Sequence, residues 1–234
     1  MIDIEFDFRS DTPLGKDPDA HSATLRRYHR LLWSKPLPSG KPFELSVTTP
    51  GVYLHHRSQL GEFQLSSDSA INTFRRHARM ADIIAEIPAP DLDAFVRKTY
   101  LIGGMVVFPS NRVGGKNTIN GERGFNSQIK DRFDLTLECI RRHYVGQQSP
   151  LGDTMARYAD FFALFGDFSG YVEFFHLQDL VEPYASAVRF FTPWEDFSAS
   201  PAPGTLAEYT VYLKSAIAFI DARNQRIAAH VAGH

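Results

Sequence analysis

The chain changes character near Asp131, and this change limits the possible folds more than any other feature. Before that point, Gly, Pro, Ser and Asn interrupt many short segments, which is typical of short strands, helices and turns. After it, apolar side chains recur at helical spacing, first at Phe133, Leu137, Ile140 and Tyr144. We therefore expect an α+β fold in which a small mixed β-sheet with flanking helices (1–130) packs on an aromatic-rich helical half (131–234).

The size and charge of the chain limit its function. A chain of 234 residues can bury a sizeable core without a metal or disulfide staple, so a single compact domain over 1–234 is expected, with 1–130 and 131–234 as its sub-halves. The 25 Lys and Arg residues against 27 Asp and Glu residues give a net charge of −2. Without a global positive field, strong non-specific binding of nucleic acid is not expected.

Localisation follows by exclusion. The lone cysteine, Cys139, cannot form an internal disulfide and rules out a cysteine zinc cluster. The first eight residues are acidic where a secretory signal needs basic ones. The longest apolar stretch, Tyr100–Phe108, is about half of the ~18–20 residues that a membrane span needs. We therefore expect a cytoplasmic protein that does not associate with membranes.

Local patterns predict the main elements. Ser22 is a suitable N-cap for a helix that ends near Trp33, and Ser67-Asp68-Ser69 is a cap signal for a helix over 70–79. Strands are predicted at 43–48 and 51–57 around a Pro50-Gly51 turn, and at 61–66, 101–108 and 187–191. Further helices are predicted at 91–98, 131–144, 153–165 and 170–181, and from about 205 to 230.

The polar, glycine-rich segment 111–126 is the most informative motif, because it follows the apolar strand 101–108. Loops at the carboxyl end of a buried strand commonly bind ligands. Three cations could hold an anion and two amides could orient it: Arg112, Lys116, Arg123, Asn120 and Asn126. A long structural loop, with its asparagines bonded to backbone, explains the same residues equally well.

Two other clusters contain candidate site residues. His55 and His56 lie on a predicted strand, so they point to opposite faces and only one can serve a given site as acid or base. The structural alternative places one at a sheet edge and packs the other, with Ser67 or Asp68 capping a helix. Arg9 shares one strand face with Asp7 and Asp11, either in a ligand cleft or at the surface.

Several chemistries lack the residues that they need. Glu173-x-x-His176 is half of a carboxylate-bridged di-iron pattern, but no second Glu-x-x-His occurs. No metal site and no cofactor are therefore expected, and His176 is assigned to a helix interface. The acidic pair Asp131 and Asp134 is explained by the dipole of the helix that it begins. Cys139 has no evident activating base, so a half-buried structural thiol is expected.

Several segments together resemble an uncharacterised bacterial family that is known only as a domain of unknown function. They are Phe6–Pro13, Gly15–Asp19, Leu31–Pro38, Gly103–Met105, Thr118–Gly121 with Gly124-Phe125, and Asp131–Tyr144. The resemblance extends from about residue 5 to residue 228. It implies a stand-alone bacterial protein of this length and supplies no catalytic residue.

Two hypotheses for the function remain open. The first is an enzyme acting on an anionic small molecule, a nucleotide or sugar phosphate, held by 111–126 with His55 or His56 as acid or base. The second is a non-enzymatic interaction protein, for example a partner in a defence or toxin–antitoxin pair. Its contact surface would combine the aromatic residues after 158 with arginine–histidine runs at 26–30, 75–79 and 141–143. The same aromatic surface would allow a homo-oligomer.

Overall fold

A computed structural model describes residues 1–47 and 54–233, which fold into two small sheets and a set of helices. The strands are β1 (Lys35–Pro36), β2 (Pro42–Phe43), β3 (Ser46–Val47), β4 (Leu54–Ser58), β5 (Gly61–Ser69) and β6 (Met105–Pro109). β1 pairs with β2, and the other sheet has the order β3-β4-β5-β6. The predicted α+β class is confirmed, but all the described pairings are antiparallel, so this sheet is not mixed.

Helices account for most of the remaining structure. Their bounds are α1 (Pro18–His21), α2 (Ala23–Trp33), α3 (Ala81–Ala85), α4 (Ala89–Lys98), α5 (Ile119–Phe125), α6 (Phe133–Tyr144), α7 (Gly152–Arg157), α8 (Ala159–Ala163), α9 (Phe168–Phe174) and α10 (Leu206–Ala232). The Ser22 hydroxyl accepts from the Leu25 amide and caps α2, as predicted. Within the described ranges, no helix combines the length and apolarity needed to cross a bilayer.

Strand β5 differs from its prediction at its C-terminal end. Ser67, Asp68 and Ser69 were expected to cap a helix over 70–79, but they continue the strand. They pair with β6, with Asp68 opposite Val106. The cap signal failed because a partner strand distant in sequence supplied the backbone hydrogen bonds. Residues 70–77 are irregular, and only a short 3-10 turn follows, at Ala78–Met80.

The apolar run 101–108 forms a strand only from Met105, because a 3-10 turn at Ile102–Gly104 precedes it. Its glycine pair marks a close backbone approach, as the sequence suggested. A Cβ on Gly103 would lie 2.6 Å from the Ile220 carbonyl oxygen and 2.6 Å from Asn224 Oδ1, both on α10. The longest described helix therefore packs directly on the turn that precedes β6.

Other predicted elements are shorter than expected. The helix predicted at 153–165 is divided at Tyr158 into α7 and α8, and the one at 170–181 ends at Phe174. The strand predicted at 187–191 is a single bridge between Val181 and Val188. The polar segment 111–126, expected to be a loop, contains α5, whose N-cap Thr118 accepts from the Gly121 amide.

The two strand predictions near the N-terminal hairpin have mixed outcomes. Residues 43–48 are not one strand, because β2 ends at Phe43 and β3 begins at Ser46. The strand over 51–57 is confirmed from Leu54 onward, and β4 and β5 pair with His56 opposite Phe63. The expected Pro50-Gly51 turn lies outside the described residues.

The core joins both halves of the sequence, since Phe8 and Trp33 belong to the same hydrophobic cluster as Phe161 and Phe219. Arg223 of α10 is fully buried within this core. Its guanidinium donates to the carbonyl oxygens of Gly103 (3.0 Å), Met105 (2.7 Å) and Phe175 (3.0 Å). One cation thus connects α10, the start of β6 and the end of α9.

Candidate functional site

A polar cavity of about 810 Å³ opens where β5 ends, and we call it the acidic cavity. Five parts of the chain form its walls: Gly15–Asp19, the β5 end with the following loop (68–77), the C-terminal end of α4 with Tyr100, Met105 at the start of β6, and Asp131 with Gly124. This volume lies in the range of small-molecule sites, and the walls carry titratable groups of both signs.

Two carboxylates share one buried cation at the cavity wall. Arg123 of α5 is fully buried, and its NH1 lies 2.9 Å from Asp68 Oδ2 and 3.3 Å from Asp131 Oδ1. The Asp68 and Asp131 side chains are 29% and 35% exposed, so they face the cavity while the guanidinium lies behind them. Arg123 is further fixed by the Thr136 hydroxyl and by the carbonyl oxygens of Ser69 and Asp131.

The surroundings of Asp68 keep its carboxyl protonated at an unusually high pH. Burial raises the pKa of Asp68 to about 7, with repulsion from Asp131 and Asp17 adding to the shift and Arg123 opposing it. Because Arg123 is shared with Asp131, it does not cancel the effect of burial, and Asp68 retains its proton far above the pH at which an isolated carboxyl ionises. A carboxyl that exchanges its proton near neutral pH can act as a general acid or base.

Asp19 is a third acidic group beside this pair. Burial raises its pKa well above the usual range, with Asp68 and Asp17 contributing repulsion and the Ser67 hydroxyl acting in the opposite direction. One carboxyl oxygen, Oδ1, is buried without a hydrogen-bond partner among the described residues. Burial therefore favours the protonated form of Asp19, and its Oδ1 atom is a point at which a bound ligand could donate a hydrogen bond.

A hydrogen-bond chain leads from buried Trp33 through His29 to Ser67, whose hydroxyl interacts with Asp19. Trp33 Nε1 donates to His29 Nδ1 at 3.0 Å, so Nδ1 carries no proton and the other ring nitrogen does. His29 Nε2 therefore donates to Ser67 Oγ at 2.8 Å. Burial lowers the pKa of His29 to about 3, which keeps it neutral. Because His29 donates to Ser67, it cannot take a proton from it, and Ser67 is not an activated nucleophile here.

The rim of the cavity carries the opposite charge. Lys16, Arg75 and Arg76 are exposed and line the opening together with His77. Within the described residues, no ion pair or hydrogen bond engages the side chains of Lys16 and Arg76. Cations without internal partners at the mouth of a cavity can attract and hold an anion.

The loop that carries these arginines is held rigidly. The Tyr209 and Tyr212 hydroxyls of α10 donate to the carbonyl oxygens of Thr73 and Asn72, at 2.9 and 2.8 Å. Buried Phe74 has a φ of +56°, a conformation that bulky residues adopt only when the surroundings impose it. Arg75 and Arg76 therefore extend from a loop fixed by packing, which lowers the cost of ordering them around a ligand.

The sequence candidates in 111–126 do not line this cavity. Arg112 and Lys116 are exposed outside it. The Asn120 amide nitrogen donates to the Ser66 hydroxyl (3.0 Å), and that of Asn126 donates to the Pro150 carbonyl (3.3 Å). Arg123 points inward, as expected for an anion-binding side chain, but its partners are protein carboxylates. It therefore positions Asp68 and Asp131 without facing the cavity itself.

The remaining candidates lie elsewhere. His55 Nε2 is 2.9 Å from Glu62 Oε1 on the outer face of the β4–β5 hairpin. His56 is buried, stacks on Phe43 with ring centroids 4.0 Å apart, and bonds through both ring nitrogens to the Glu44 carbonyl and the Ser58 hydroxyl. Burial lowers its pKa. The structure therefore does not bring either imidazole together with Arg123.

Arg9 does not line the cavity, but it contacts a residue that does. It pairs with Asp7 (Nε to Oδ1, 2.9 Å), and its guanidinium lies 4.6 Å from the centroid of Tyr100, a residue that lines the cavity. Asp7 and Arg9 do not form the strand that was expected, since Phe8–Asp11 is a 3-10 turn capped by Asp7. Arg9 therefore packs on the ring of Tyr100 without lining the cavity itself.

Sequence reasoning missed the cavity carboxylates because each had an ordinary local explanation. Asp68 was interpreted as a helix cap and Asp131 as part of a helix start. In the structure α6 begins at Phe133, and Asp131 precedes it with a φ of +63°. Asp134 does belong to the helix start, and it forms a buried pair with Arg132. The arginine–histidine run 75–79 was the sequence signal that could have located this cavity, because Arg75 and Arg76 line its rim.

Neither the cysteine thiol nor a cluster of metal ligands adds a site among the described residues. Cys139 is fully buried, not half-buried as predicted, and burial raises its pKa to about 12, which is typical of a structural thiol. In residues 1–47 and 54–233, no three His, Cys, Asp or Glu side chains converge in an arrangement that could hold a metal ion.

Comparison with known proteins gives one match. Residues 2–227 match the model of a family described as a family of unknown function, DUF6994. The chain belongs to DUF6994. No curated protein and no solved structure matches it. The match covers both the acidic cavity and the aromatic C-terminal half, so the site of this DUF6994 chain has to be interpreted from its own geometry.

Proposed function

We propose that this DUF6994 chain is an enzyme that binds an anionic small molecule, a sugar phosphate or a nucleotide, in the acidic cavity. Arg75, Arg76 and Lys16 would hold the anionic group at the rim. Asp68 would be the acid or base deeper in the cavity, positioned by Arg123. One observation carries the proposal: a cavity-facing carboxyl whose pKa is raised to about 7 lies below a rim of cations.

The arrangement of charges favours a ligand with two chemically different ends. An anionic group suits the exposed guanidinium groups of Arg75 and Arg76, whereas hydroxyl groups suit the carboxyl oxygens of Asp19, Asp68 and Asp131. A sugar phosphate carries both kinds of group at a size that a cavity of about 810 Å³ accommodates. We therefore favour a sugar phosphate over a nucleotide as the ligand.

Binding is tested by thermal unfolding with a panel of sugar phosphates, nucleotides and the matching unphosphorylated compounds. We expect a phosphorylated member to raise the Tm of the wild type, because a ligand that binds only the folded state stabilises it. Arg76→Ala should lose most of this shift. Arg79→Ala is the matched control, because Arg79 is also exposed, in the 3-10 turn Ala78–Met80, but does not line the cavity. Equal shifts in both variants would contradict the assignment of the rim.

Turnover is tested on the ligand that the panel identifies. Asp68→Asn should keep the Tm shift and lose about 10²–10⁴-fold in kcat, the usual contribution of a general acid or base. If turnover survives the substitution, Asp68 is not the acid or base. If no panel member shifts the Tm of the wild type, the interaction-protein alternative gains, and the arginine run 75–79 becomes its first candidate contact.

A further inference from the structure

A second cavity, of about 380 Å³, lies between β1 and the end of α9 and shares no lining residue with the acidic cavity. We call it the lysine cavity. Its apolar wall is formed by Pro36, Leu37, Pro38 and Phe174, and its polar groups include Lys35, Glu173, His176 and His230. The function proposed above uses none of these residues.

The ammonium group of Lys35 is held by contacts other than an ion pair. Its Nζ lies 3.2 Å from His176 Nε2, 4.8 Å from the ring centroid of Phe174 and 5.3 Å from that of Trp33. No carboxylate of the described residues forms a salt bridge with it. A lysine in this position points into a cavity and lacks the close negative partner that usually stabilises its charge.

His176 fixes the direction of the lysine nitrogen. An ammonium group has no lone pair, so the His176 Nε2 atom accepts from it. The imidazole is 6% exposed, and its ring centroid lies 5.6 Å from that of Trp33 and 4.7 Å from that of His230. Burial, with Lys35, Arg223, His230 and Arg226 adding repulsion, lowers the pKa of His176 to about 3, so it stays a neutral acceptor.

The surroundings also favour the neutral amine of Lys35. Burial lowers its pKa to about 8, with Arg223 adding to the shift and Glu173 opposing it. At pH 7 roughly a tenth of the molecules would then carry the free amine, against less than about a thousandth for a lysine with the ordinary pKa of 10.4. When the amine donates an N–H to His176, its lone pair is left free to react.

We propose that Lys35 is a nucleophilic lysine that captures small uncharged aldehydes or ketones as a Schiff base in the lysine cavity. The amine nitrogen attacks the carbonyl carbon and forms the C–N bond. The carbonyl oxygen then takes up protons and leaves as water, while the nitrogen loses its remaining protons to give the imine. The apolar wall favours an uncharged carbonyl compound, and the step needs no oxidant or reductant.

The test is reductive trapping of the full-length protein with propionaldehyde and sodium cyanoborohydride, followed by peptide mapping by mass spectrometry. We expect Lys35 to be alkylated at least tenfold faster than Lys41 at pH 7.5. Lys41 is an internal control in the same part of the chain, but it is exposed. The rate at Lys35 should rise to half its maximum near pH 8. Equal rates at the two lysines would overturn the proposal.

Variants at Lys35 and His176, with Lys41→Arg as a control, separate the nucleophile from the residue that positions it. Lys35→Arg should abolish the fast adduct, and Lys41→Arg should leave it unchanged. His176→Gln keeps an acceptor and should retain much of the fast labelling, whereas His176→Phe should slow it and change its pH profile. An unaltered Lys35 profile in His176→Phe would contradict the positioning role. The comparison of Lys35 with Lys41 in the wild type holds even if a variant fails to fold, and it does not depend on the function of the acidic cavity.

Discussion

The Asp68 carboxyl shows how far the surroundings of one residue can change its chemistry. In the chain it lies within a run of serines, where an aspartate normally caps a helix or meets solvent. In the fold it lies 2.9 Å from a buried guanidinium that a second carboxylate also approaches. Its raised pKa follows from burial and from repulsion by Asp131, which Arg123 only partly offsets, and the proposed acid–base role depends on that shift.

This raised pKa gives a prediction for the pH dependence of stability. The folded-state pKa of Asp68, about 7, lies above the unfolded value of about 3.9. Between these two values the folded state binds more protons than the unfolded state, so the free energy of unfolding falls as the pH rises. Asp68→Asn should make the free energy of unfolding less dependent on pH between pH 4 and pH 7. The measurement is urea denaturation at several pH values.

Asp160→Asn is the control for that measurement, because it removes an exposed carboxylate on α8 that does not line the acidic cavity. It should leave the slope as in the wild type. Some slope should persist in Asp68→Asn, since the pKa of Asp19 is raised as well. A slope that is identical in the wild type and Asp68→Asn would show that the Asp68–Arg123–Asp131 group does not retain a proton.

Among the elements, the junction between β6 and α10 determines how the two halves of the sequence meet. The Gly103 amide donates to Asn224 Oδ1 at 2.7 Å, and the glycine allows α10 to approach closer than any side chain would permit. The same helix supplies the tyrosine hydroxyls that hold the rim loop of the acidic cavity. A substitution that displaces α10 at this junction is therefore expected to change both the packing of the core and the rim loop of the acidic cavity.

Gly103→Ala is the prediction at this scale. Its Cβ would lie 2.6 Å from a backbone oxygen of α10, which a rotamer change cannot relieve. We expect a loss of about 3 kcal/mol in the free energy of unfolding. Gly124→Ala is the matched control, because nothing lies within 4 Å of its added Cβ inside α5. It should be neutral or stabilising by up to about 1 kcal/mol, since alanine favours helix. Equal urea midpoints for the two variants would argue against the close approach.

At the scale of the whole molecule, Arg223 joins segments that are far apart in the sequence. Its three carbonyl acceptors belong to the turn before β6, to β6 itself and to the residue after α9. Burial without a paired carboxylate lowers the pKa of this guanidinium to about 10, which still leaves it charged at neutral pH. Carbonyl dipoles stabilise the buried charge. In return, the guanidinium supplies the donors that these buried carbonyl oxygens need.

Arg223→Met tests this role. The substitution keeps an apolar side chain but leaves buried carbonyl oxygens with fewer donors, so we expect a loss of about 2–4 kcal/mol. Arg226→Met, one turn away, removes a partly exposed ion pair with Asp179 and should cost about 0–1 kcal/mol. Denaturant titrations of the two variants check the difference. A similar small cost for both would mean that Arg223 does not hold the segments together.

Some features of this protein follow from the sequence alone. The α+β class, the Ser22 cap of α2, the amphipathic helix α6 and the long C-terminal helix were all predicted from signals between near neighbours in the chain. Periodicity and capping act over a few residues, and such signals survive folding where no distant strand competes for the same backbone groups. Competition from β6 is the reason that the helix predicted at 70–79 was wrong.

The tertiary structure alone decided which polar groups meet. Asp68 and Arg123 are 55 residues apart in the chain, and Lys35 and His176 are 141 apart. Each of these side chains has an ordinary explanation when it is considered with its neighbours in sequence. Charge, burial and pKa depend on distances through space, which only the packing of the helices on the sheet determines.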